Sequence, residues 1–163
     1  MKLGTLVYVK KDCHTLMIHR IRKQGDIHWG KWNTLGGKLE PGETPEECAV
    51  REVFEESGLH ISDPGLRGML TFPAFDGVDD WYVFVFVATE FDGELLEQSA
   101  EGDLAWIEDR KLCDLELWEG DRIFMEWLDQ GRFFSGKLEY GNDGLVAHSV
   151  VFHERPPEKG IPS

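Results

Sequence analysis

The chain consists mainly of short apolar runs separated by polar or glycine-containing turns, a pattern typical of β-strands. The predicted strands are residues 3–9, 15–21, 68–72, 81–89, 104–107, 133–140 and 145–152. A polar turn at residues 10–12 is expected to join the first two strands into a hairpin. The glycine-containing segment 24–37 is predicted to be irregular.

The segment that follows residue 43 carries the signals of a helix start and a helix end. Thr44 suits the N-cap, Pro45 suits the first helical position, and Glu47 completes a capping box. Gly58 is predicted to end the helix, because glycine readily takes the left-handed conformation. A second helix is predicted over residues 121–130.

Length and composition predict one compact domain, since the chain has 163 residues, 41% of them hydrophobic. We expect this domain to cover residues 1–153, followed by a flexible, proline-containing tail at 154–163. The longest apolar run, residues 81–88, is far shorter than the roughly 20 residues that cross a bilayer, so no membrane association is expected. The N-terminus lacks the features of a signal peptide, which indicates a cytoplasmic protein.

The cysteines and the net charge restrict the ligands that the chain can bind. Cys13, Cys48 and Cys113 are widely spaced, which argues against a disulfide framework and against a zinc site. A formal net charge of −14 disfavours a nucleic-acid polymer, because affinity for its backbone depends on basic residues. A small phosphorylated ligand remains compatible with this charge if a divalent cation screens the repulsion.

The first predicted helix gathers acidic residues on one face, since Glu52, Glu55 and Glu56 stand at i, i+3 and i+4. Its apolar residues centre on another face and should pack against the sheet: Ala49, Val50, Val53 and Phe54. A solvated acidic face is the ordinary explanation of such a cluster. A metal site is the alternative, because magnesium typically takes one or two carboxylates together with other oxygen ligands.

The residues around this helix form a recognisable motif. Residues 37–59 read GKLEPGETPEECAVREVFEESGL, which is glycine, five residues, glutamate, seven residues, and then Arg-Glu-apolar-any-Glu-Glu-any-Gly-apolar. This segment resembles the Nudix box at every fixed position, and a chance match over 23 residues is very improbable. The resemblance implies an α/β fold, namely the Nudix α/β/α sandwich around a mixed β-sheet.

The resemblance also implies an enzyme that depends on Mg²⁺, for which Mn²⁺ can substitute. The metal ligands would be Gly36, Glu52, Glu55, Glu56 and Glu101. Arg51 would orient the cluster through Glu43, and Glu101 could instead accept a proton. A bound metal would polarise phosphoryl oxygens and lower the pKa of a bound water.

Outside the motif the chain resembles the oxidised-purine nucleotide sanitisers, the MutT and MutX group and their animal counterparts. The segments that carry this likeness are residues 32–38, 81–84, 118–121 and 133–137. It implies that Asn33 hydrogen-bonds the purine edge, Trp118 stacks on the ring and Asp121 reads a base nitrogen. The animal members carry two adjacent aspartates after the tryptophan, whereas this chain has Gly120 at the first, which leaves the base preference open.

Four further residues are candidates for substrate contacts. Lys38 would bind the phosphates, and Ile27, Phe72 and Trp81 would line the base site. Packing in the core explains Phe72 and Trp81 nearly as well, and Trp118 could also be a core residue.

The expected partner is a small nucleotide, with the protein acting as a monomer or a homodimer. The first hypothesis is hydrolysis of an oxidised purine nucleoside triphosphate such as 8-oxo-dGTP to the monophosphate and pyrophosphate. The second keeps the fold but takes a dinucleoside polyphosphate, a nucleotide sugar or an ordinary nucleoside triphosphate. The third is a catalytically silent domain that binds a nucleotide or a protein.

Overall fold

The computed structural model of the chain describes residues 1–22, 25 and 27–153. Within these residues the strands are β1 (Lys2–Lys11), β2 (His14–His19), β3 (Trp32–Asn33), β4 (Leu59–Ser62), β5 (Gly65–Phe72), β6 (Trp81–Ala88), β7 (Glu90–Gly93), β8 (Asp103–Glu108), β9 (Phe134–Gly141) and β10 (Gly144–Phe152). The helices are α1 (Pro45–Ser57), α2 (Glu119–Asp129) and a 3₁₀ helix (Asp109–Asp114).

The main sheet is mixed and has the strand order β10-β9-β5-β6-β1-β2-β3, with β8 paired to β2. β1 runs parallel to β6, and β5 runs parallel to β9, while the remaining pairs are antiparallel. β4 and β7 form a separate antiparallel pair. The predicted α/β class with a mixed sheet is therefore confirmed.

Alternate residues of β1 belong to two different cores, because successive side chains of a strand point to opposite faces. Val7 and Val9 pack with Val53 of α1 in one cluster. Tyr8, which lies between them, packs with Phe124 of α2 in the other. The two helices thus cover opposite faces of the sheet, which is the predicted sandwich.

The boundaries of α1 follow the sequence signals. The Thr44 hydroxyl accepts a hydrogen bond from the Glu47 backbone N–H at 3.1 Å, and the Glu47 carboxylate accepts one from the Thr44 N–H at 3.3 Å. Gly58 takes a φ of 81° and ends the helix. Because the capping box fixes the first turn, the direction of the glutamates further along the helix is fixed as well.

The structure differs from the sequence predictions in several places. The predicted irregular segment contains β3, and neither β4 nor β7 was predicted. Phe54 is 46% exposed and stacks on His60 instead of entering the core, so its predicted inward direction was wrong. Ala49 and Val53 are buried in the core beside the sheet, and Phe54 lies about 100° around the helix from Val53.

The predicted tail at 154–163 lies outside the described residues, so the proposed domain limits stay a prediction. Positions 24 and 26 of the predicted irregular segment also lie outside them. No helix in the described ranges has both the length and the apolar character needed to span a membrane.

Candidate active site

A cavity of about 460 Å³ lies between α1, the first strands and the start of α2. It brings together ten of the residues that the sequence singled out: Ile27, Asn33, Gly36, Lys38, Glu52, Phe72, Trp81, Glu101, Trp118 and Asp121. The other four, Glu43, Arg51, Glu55 and Glu56, do not line it. The cavity is large enough for a nucleotide and has both an aromatic and an acidic part.

Residues 35–37 pair with β1, and Gly36 and Gly37 of this segment form part of the cavity wall beside α1. Thr5 N–H donates to the Gly37 carbonyl at 2.8 Å, and Val7 N–H donates to the Leu35 carbonyl at 2.8 Å. A side chain at position 36, where φ is +139°, would overlap the Thr5 carbonyl, and a Cβ at position 37 would lie 2.5 Å from the Glu52 carboxylate carbon. Glycine at position 36 therefore lets this segment lie against β1, and glycine at position 37 lets it approach the Glu52 carboxylate.

Arg51 lies at the centre of a network of acidic groups. Its guanidinium donates to both oxygens of Glu43, at 2.7 and 2.9 Å, and to Glu52 at 2.8 Å. It also reaches Glu55 at 3.2 Å and the Lys38 carbonyl at 3.0 Å. The hydrogen bond from Arg51 lowers the pKa of Glu43 to about 2. Arg51 thus links Glu43, which precedes α1, to Glu52 on the helix.

Glu56 is the most buried acidic residue in the described part of the chain, with 8% of its surface exposed. One of its oxygens accepts a hydrogen bond from the Gly36 N–H at 3.1 Å. Burial raises the pKa of Glu56 well above its ordinary value, and the charges of Glu101 and Glu52 raise it further. The carboxyl groups of Glu52, Glu56 and Glu101 are thus crowded at this end of the cavity.

The remaining carboxylates are held by arginines. Glu101 accepts a hydrogen bond from Arg20 at 2.8 Å. The Glu55 side chain is 57% exposed, does not line the cavity and pairs with Arg51. Across the described part of the chain, no three Asp, Glu, His or Cys side chains form a ready-made metal-ligand group.

The donor set nevertheless suits a divalent cation. Glu52, Glu56 and Glu101 supply hard oxygen atoms, and their charges repel one another. A bound cation would offset this repulsion and favour the charged form of Glu56. Arg20 and Arg51 neutralise part of this charge in the structure described here.

The opposite end of the cavity carries aromatic and amide groups. The Nδ2 atom of Asn33 is buried, and no hydrogen-bond partner for it lies within the described residues. The Trp118 indole N–H donates to Nδ1 of His28 at 2.7 Å, and the Lys31 ammonium lies 5.1 Å from the Trp118 ring centroid. This end presents a stacking surface beside an unused donor, which are groups that bind a heterocyclic base.

Asp121 follows Trp118 at the start of α2 and lines the same end. Burial raises the pKa of its carboxyl group to about 7, although the backbone of Trp118 and the charge of Lys31 act in the opposite direction. Near neutral pH this group can therefore either donate or accept a hydrogen bond.

The four remaining candidates, Lys38, Trp81, Phe72 and Ile27, lie at the wall of the cavity. Lys38 is exposed, with its ammonium 5.4 Å from the Trp81 ring centroid, and the Trp81 indole donates to Asp76 at 3.2 Å. The ring of Phe72 packs against that of Phe75, with the ring centroids 5.5 Å apart. Ile27 is 55% exposed at the cavity.

Trp32 and Cys48 lie near the cavity-forming elements but have packing positions. Trp32 stacks on His19 with ring centroids 4.6 Å apart and does not line the cavity. Cys48 is fully buried, 3.5 Å from the Thr5 hydroxyl, and burial raises the pKa of its thiol to about 11. Cys48 is therefore a packing residue between α1 and β1.

Sequence reasoning missed part of the lining, namely Thr5, Leu6, Arg20, His28, Phe75 and Tyr140. β1 reads as an ordinary core strand, so its cavity-facing residues carry no signal of their own. Phe75 and Tyr140 come from distant segments and meet only in the fold, where their ring centroids are 5.5 Å apart.

Comparison with known proteins gives consistent matches. Residues 3–128 match the model of the NUDIX domain. A protein named oxidized purine nucleoside triphosphate hydrolase from Danio rerio is 33% identical over 150 residues, covering 91% of this chain and 94% of that protein. YvcI of Bacillus subtilis, described as an uncharacterized Nudix hydrolase, is 35% identical over 127 residues, covering 76% of this chain and 77% of that protein.

Among solved structures, a mutator MutT protein from Bacillus halodurans superposes with a TM-score of 0.80. It is 32% identical in sequence, and the match covers 92% of this chain and 97% of that structure.

Proposed function

Because the chain belongs to the Nudix family, by its match to the NUDIX domain over residues 3–128, we propose that it hydrolyses oxidised purine nucleoside triphosphates. The products are the nucleoside monophosphate and pyrophosphate, and 8-oxo-dGTP is the representative substrate. The similarity to the Danio rerio hydrolase over 91% of this chain supports this substrate class. The net charge of −14 favours a free nucleotide over a nucleic-acid polymer.

The observation that carries the proposal is the buried Asn33 amide in a cavity shared with Trp118. Its Nδ2 atom has no partner in the described residues, and leaving a buried donor unpaired costs about 1–3 kcal/mol. A purine with an acceptor on its edge would satisfy this donor while its ring stacks on the indole of Trp118. Both groups face the same cavity, so one base can engage both.

Members of this family generally use a divalent metal, and we propose that Mg²⁺ is the ion in this chain. Glu52, Glu56 and Glu101 would hold it, with the Gly36 carbonyl and Glu55 as the further ligands proposed from the sequence. When bound, the ion supplies polarisation of the phosphoryl oxygens and a bound water of lowered pKa. Mn²⁺ has the same preference for oxygen ligands and can substitute.

Side chains around the acidic end would position the carboxylates and bind the phosphates. Arg51 donates hydrogen bonds to both Glu43 and Glu52 and would hold the Glu52 carboxylate in place at the cavity. Lys38 lies at the cavity wall with an exposed ammonium, where it would bind the triphosphate. Because Glu52 and Glu101 line the same cavity as the base-binding end, the phosphates of a bound nucleotide would lie near Glu52 while its base contacts Asn33.

A substrate panel with product analysis tests this function. Purified protein with Mg²⁺ is given 8-oxo-dGTP, dGTP, a nucleotide sugar and a dinucleoside polyphosphate, and kcat/KM is measured for each, since discrimination resides in that ratio. We expect 8-oxo-dGTP to have the highest value and to yield monophosphate and pyrophosphate. A higher value for the sugar or the dinucleotide would reject the proposed substrate, and an absence of all turnover would reject the enzyme.

A further inference from the structure

The hydroxyl of Tyr140 meets the backbone of Gly120 at the wall of the cavity. The Gly120 N–H donates to the Tyr140 hydroxyl oxygen at 2.7 Å. A Cβ at position 120 would lie 2.6 Å from that oxygen and 3.2 Å from the nearest atom of Leu138. The hydroxyl therefore occupies space that any side chain at position 120 would need.

Only part of the hydrogen-bonding capacity of this hydroxyl is used. A phenolic hydroxyl can donate one hydrogen bond and can also accept. Tyr140 accepts from Gly120, and no acceptor for its proton lies within hydrogen-bond distance among the described residues. Burial raises the pKa of Tyr140, and the charges of Asp121 and Glu119 raise it further, so the proton is retained at physiological pH.

The ring of Tyr140 is fixed by neighbours that also line the cavity. Its centroid lies 5.5 Å from Phe75 and 5.5 Å from Trp118, and both rings meet it edge to face. Phe72 lies 6.5 Å away on another side. These contacts leave the ring little rotational freedom, so the hydroxyl is held beside the groups proposed to bind the base.

We infer that Tyr140 is a specificity-determining residue whose hydroxyl donates a hydrogen bond to a keto oxygen of the purine base. This inference rests on the proposed function. The cavity then offers two neutral donors, the Tyr140 hydroxyl and the Asn33 amide, both without an acceptor among the described residues. Two such donors match a purine that carries two carbonyl oxygens, as 8-oxoguanine does at C6 and C8, better than a purine with fewer.

The test compares the unchanged protein with Tyr140→Phe on three deoxynucleoside triphosphates. They are 8-oxo-dGTP with two keto oxygens, dGTP with one, and the unsubstituted purine nucleotide with none. We expect Tyr140→Phe to lower kcat/KM for the preferred keto purine about tenfold and to change that of the unsubstituted purine less than twofold. An equal loss on all three substrates, or no change in their ratios, would overturn the inference, because a purely structural bond to Gly120 affects every substrate alike.

Gly120→Ala supplies an independent variant that keeps the hydroxyl but displaces it. Its methyl group collides with the Tyr140 oxygen, so we expect the same loss of discrimination as in Tyr140→Phe. In the double variant the obstructing oxygen is absent, and the added methyl should lower the ratio no further. If the two changes multiply in the double variant, the hydroxyl is not their common target and the inference fails.

The outcomes separate this inference from the proposed function. If the unchanged protein shows no preference for oxidised purines, the proposed function fails. If Tyr140→Phe preserves the ratio between keto and unsubstituted purines that the unchanged protein shows, the assignment of Tyr140 fails, whichever purine is preferred.

Discussion

Trp118 and His28 are joined by a hydrogen bond of 2.7 Å from the indole N–H to Nδ1, although they stand 90 positions apart in the chain. The bond fixes the indole plane at the end of the cavity where the base is proposed to stack, and it requires Nδ1 of His28 to be the unprotonated nitrogen. Loss of one such bond costs about 1 kcal/mol.

We therefore expect His28→Ala to raise KM about fivefold and to change kcat less than twofold, measured by steady-state hydrolysis of the preferred nucleotide. His28→Asn keeps an acceptor near the position of Nδ1 and should recover most of the loss. His60→Ala, which removes a ring that stacks on Phe54, is the control and should leave KM unchanged. Equal effects of His28→Ala and His28→Asn would contradict the role of the hydrogen bond.

Asn33 should show a division between stability and function. Because its Nδ2 atom is buried without a partner in the described residues, Asn33→Ala removes an unsatisfied group, and the Tm of the ligand-free protein should fall little. The same change should raise KM about tenfold, since the substrate loses its donor. Thermal unfolding and steady-state kinetics check the two halves. A large drop in Tm with an unchanged KM would show a structural role only.

Glu56 should be essential for turnover. Glu56→Gln retains an oxygen that accepts from the Gly36 N–H, so the fold should persist, but it removes the charge needed to bind a cation. We expect kcat to fall by at least about 100-fold, and chelation of the metal by EDTA to have the same effect on the unchanged protein. Glu46→Gln, an exposed change in the first turn of the same helix, is the matched control. Full activity of Glu56→Gln would reject the metal site.

Arg51 should not be replaceable by lysine. A lysine ammonium carries its donors on a single nitrogen, so it cannot reproduce the bonds that Nε, Nη1 and Nη2 of the planar guanidinium make to Glu43 and Glu52. We expect Arg51→Lys to lower kcat about tenfold and to raise the Mg²⁺ concentration needed for half-maximal activity. The low pKa of Glu43, about 2, makes its ion pair stabilising above pH 4.5 and progressively lost as the pH falls toward 2. Acid unfolding should reveal less of this dependence in Arg51→Lys, and identical curves would contradict the pairing.

Asp121 should make stability depend on pH in the opposite direction. Its pKa of about 7 in the folded chain exceeds the ordinary aspartate pKa of 3.8, so the folded state binds the extra proton and becomes more stable as the pH falls from 8 to 5. We expect this gain to be about 1–2 kcal/mol larger than in Asp121→Asn, less than the full shift implies because the side chain is partly exposed. Denaturant unfolding at both pH values measures it. Parallel behaviour of the two proteins would show that Asp121 titrates normally.

The parts of the structure that could be predicted from the sequence depend on local patterns. The capping box around Thr44 and the glycine at position 58 fixed α1 within one residue, because caps act over a single helical turn. The motif at residues 37–59 likewise identified the residues around the acidic end of the cavity. Of these, Glu52 lines the cavity, whereas Glu55 is mostly exposed, a difference that helical spacing alone does not reveal.

The parts that could not be predicted depend on contacts between distant segments. β4 and β7 have four residues each, which is too short for a periodic signal. They also lie far apart in the sequence, since Leu59 pairs with Gly93. The sequence pattern places Tyr140 at the end of a predicted strand, and only the packing of β9 against the start of α2 brings its hydroxyl to Gly120.

The segment between Asn33 and α1 runs along β1 through alternating backbone bonds, from Thr5 to Gly37 and from Val7 to Leu35. Inserting or deleting one residue in this stretch would slip it against β1 and turn each of its side chains to the other side. Its length is therefore fixed, unlike that of most surface connections, which tolerate such changes. The number of residues that separates Asn33 from the glutamates is thus set by the strand beside them, before any ligand binds.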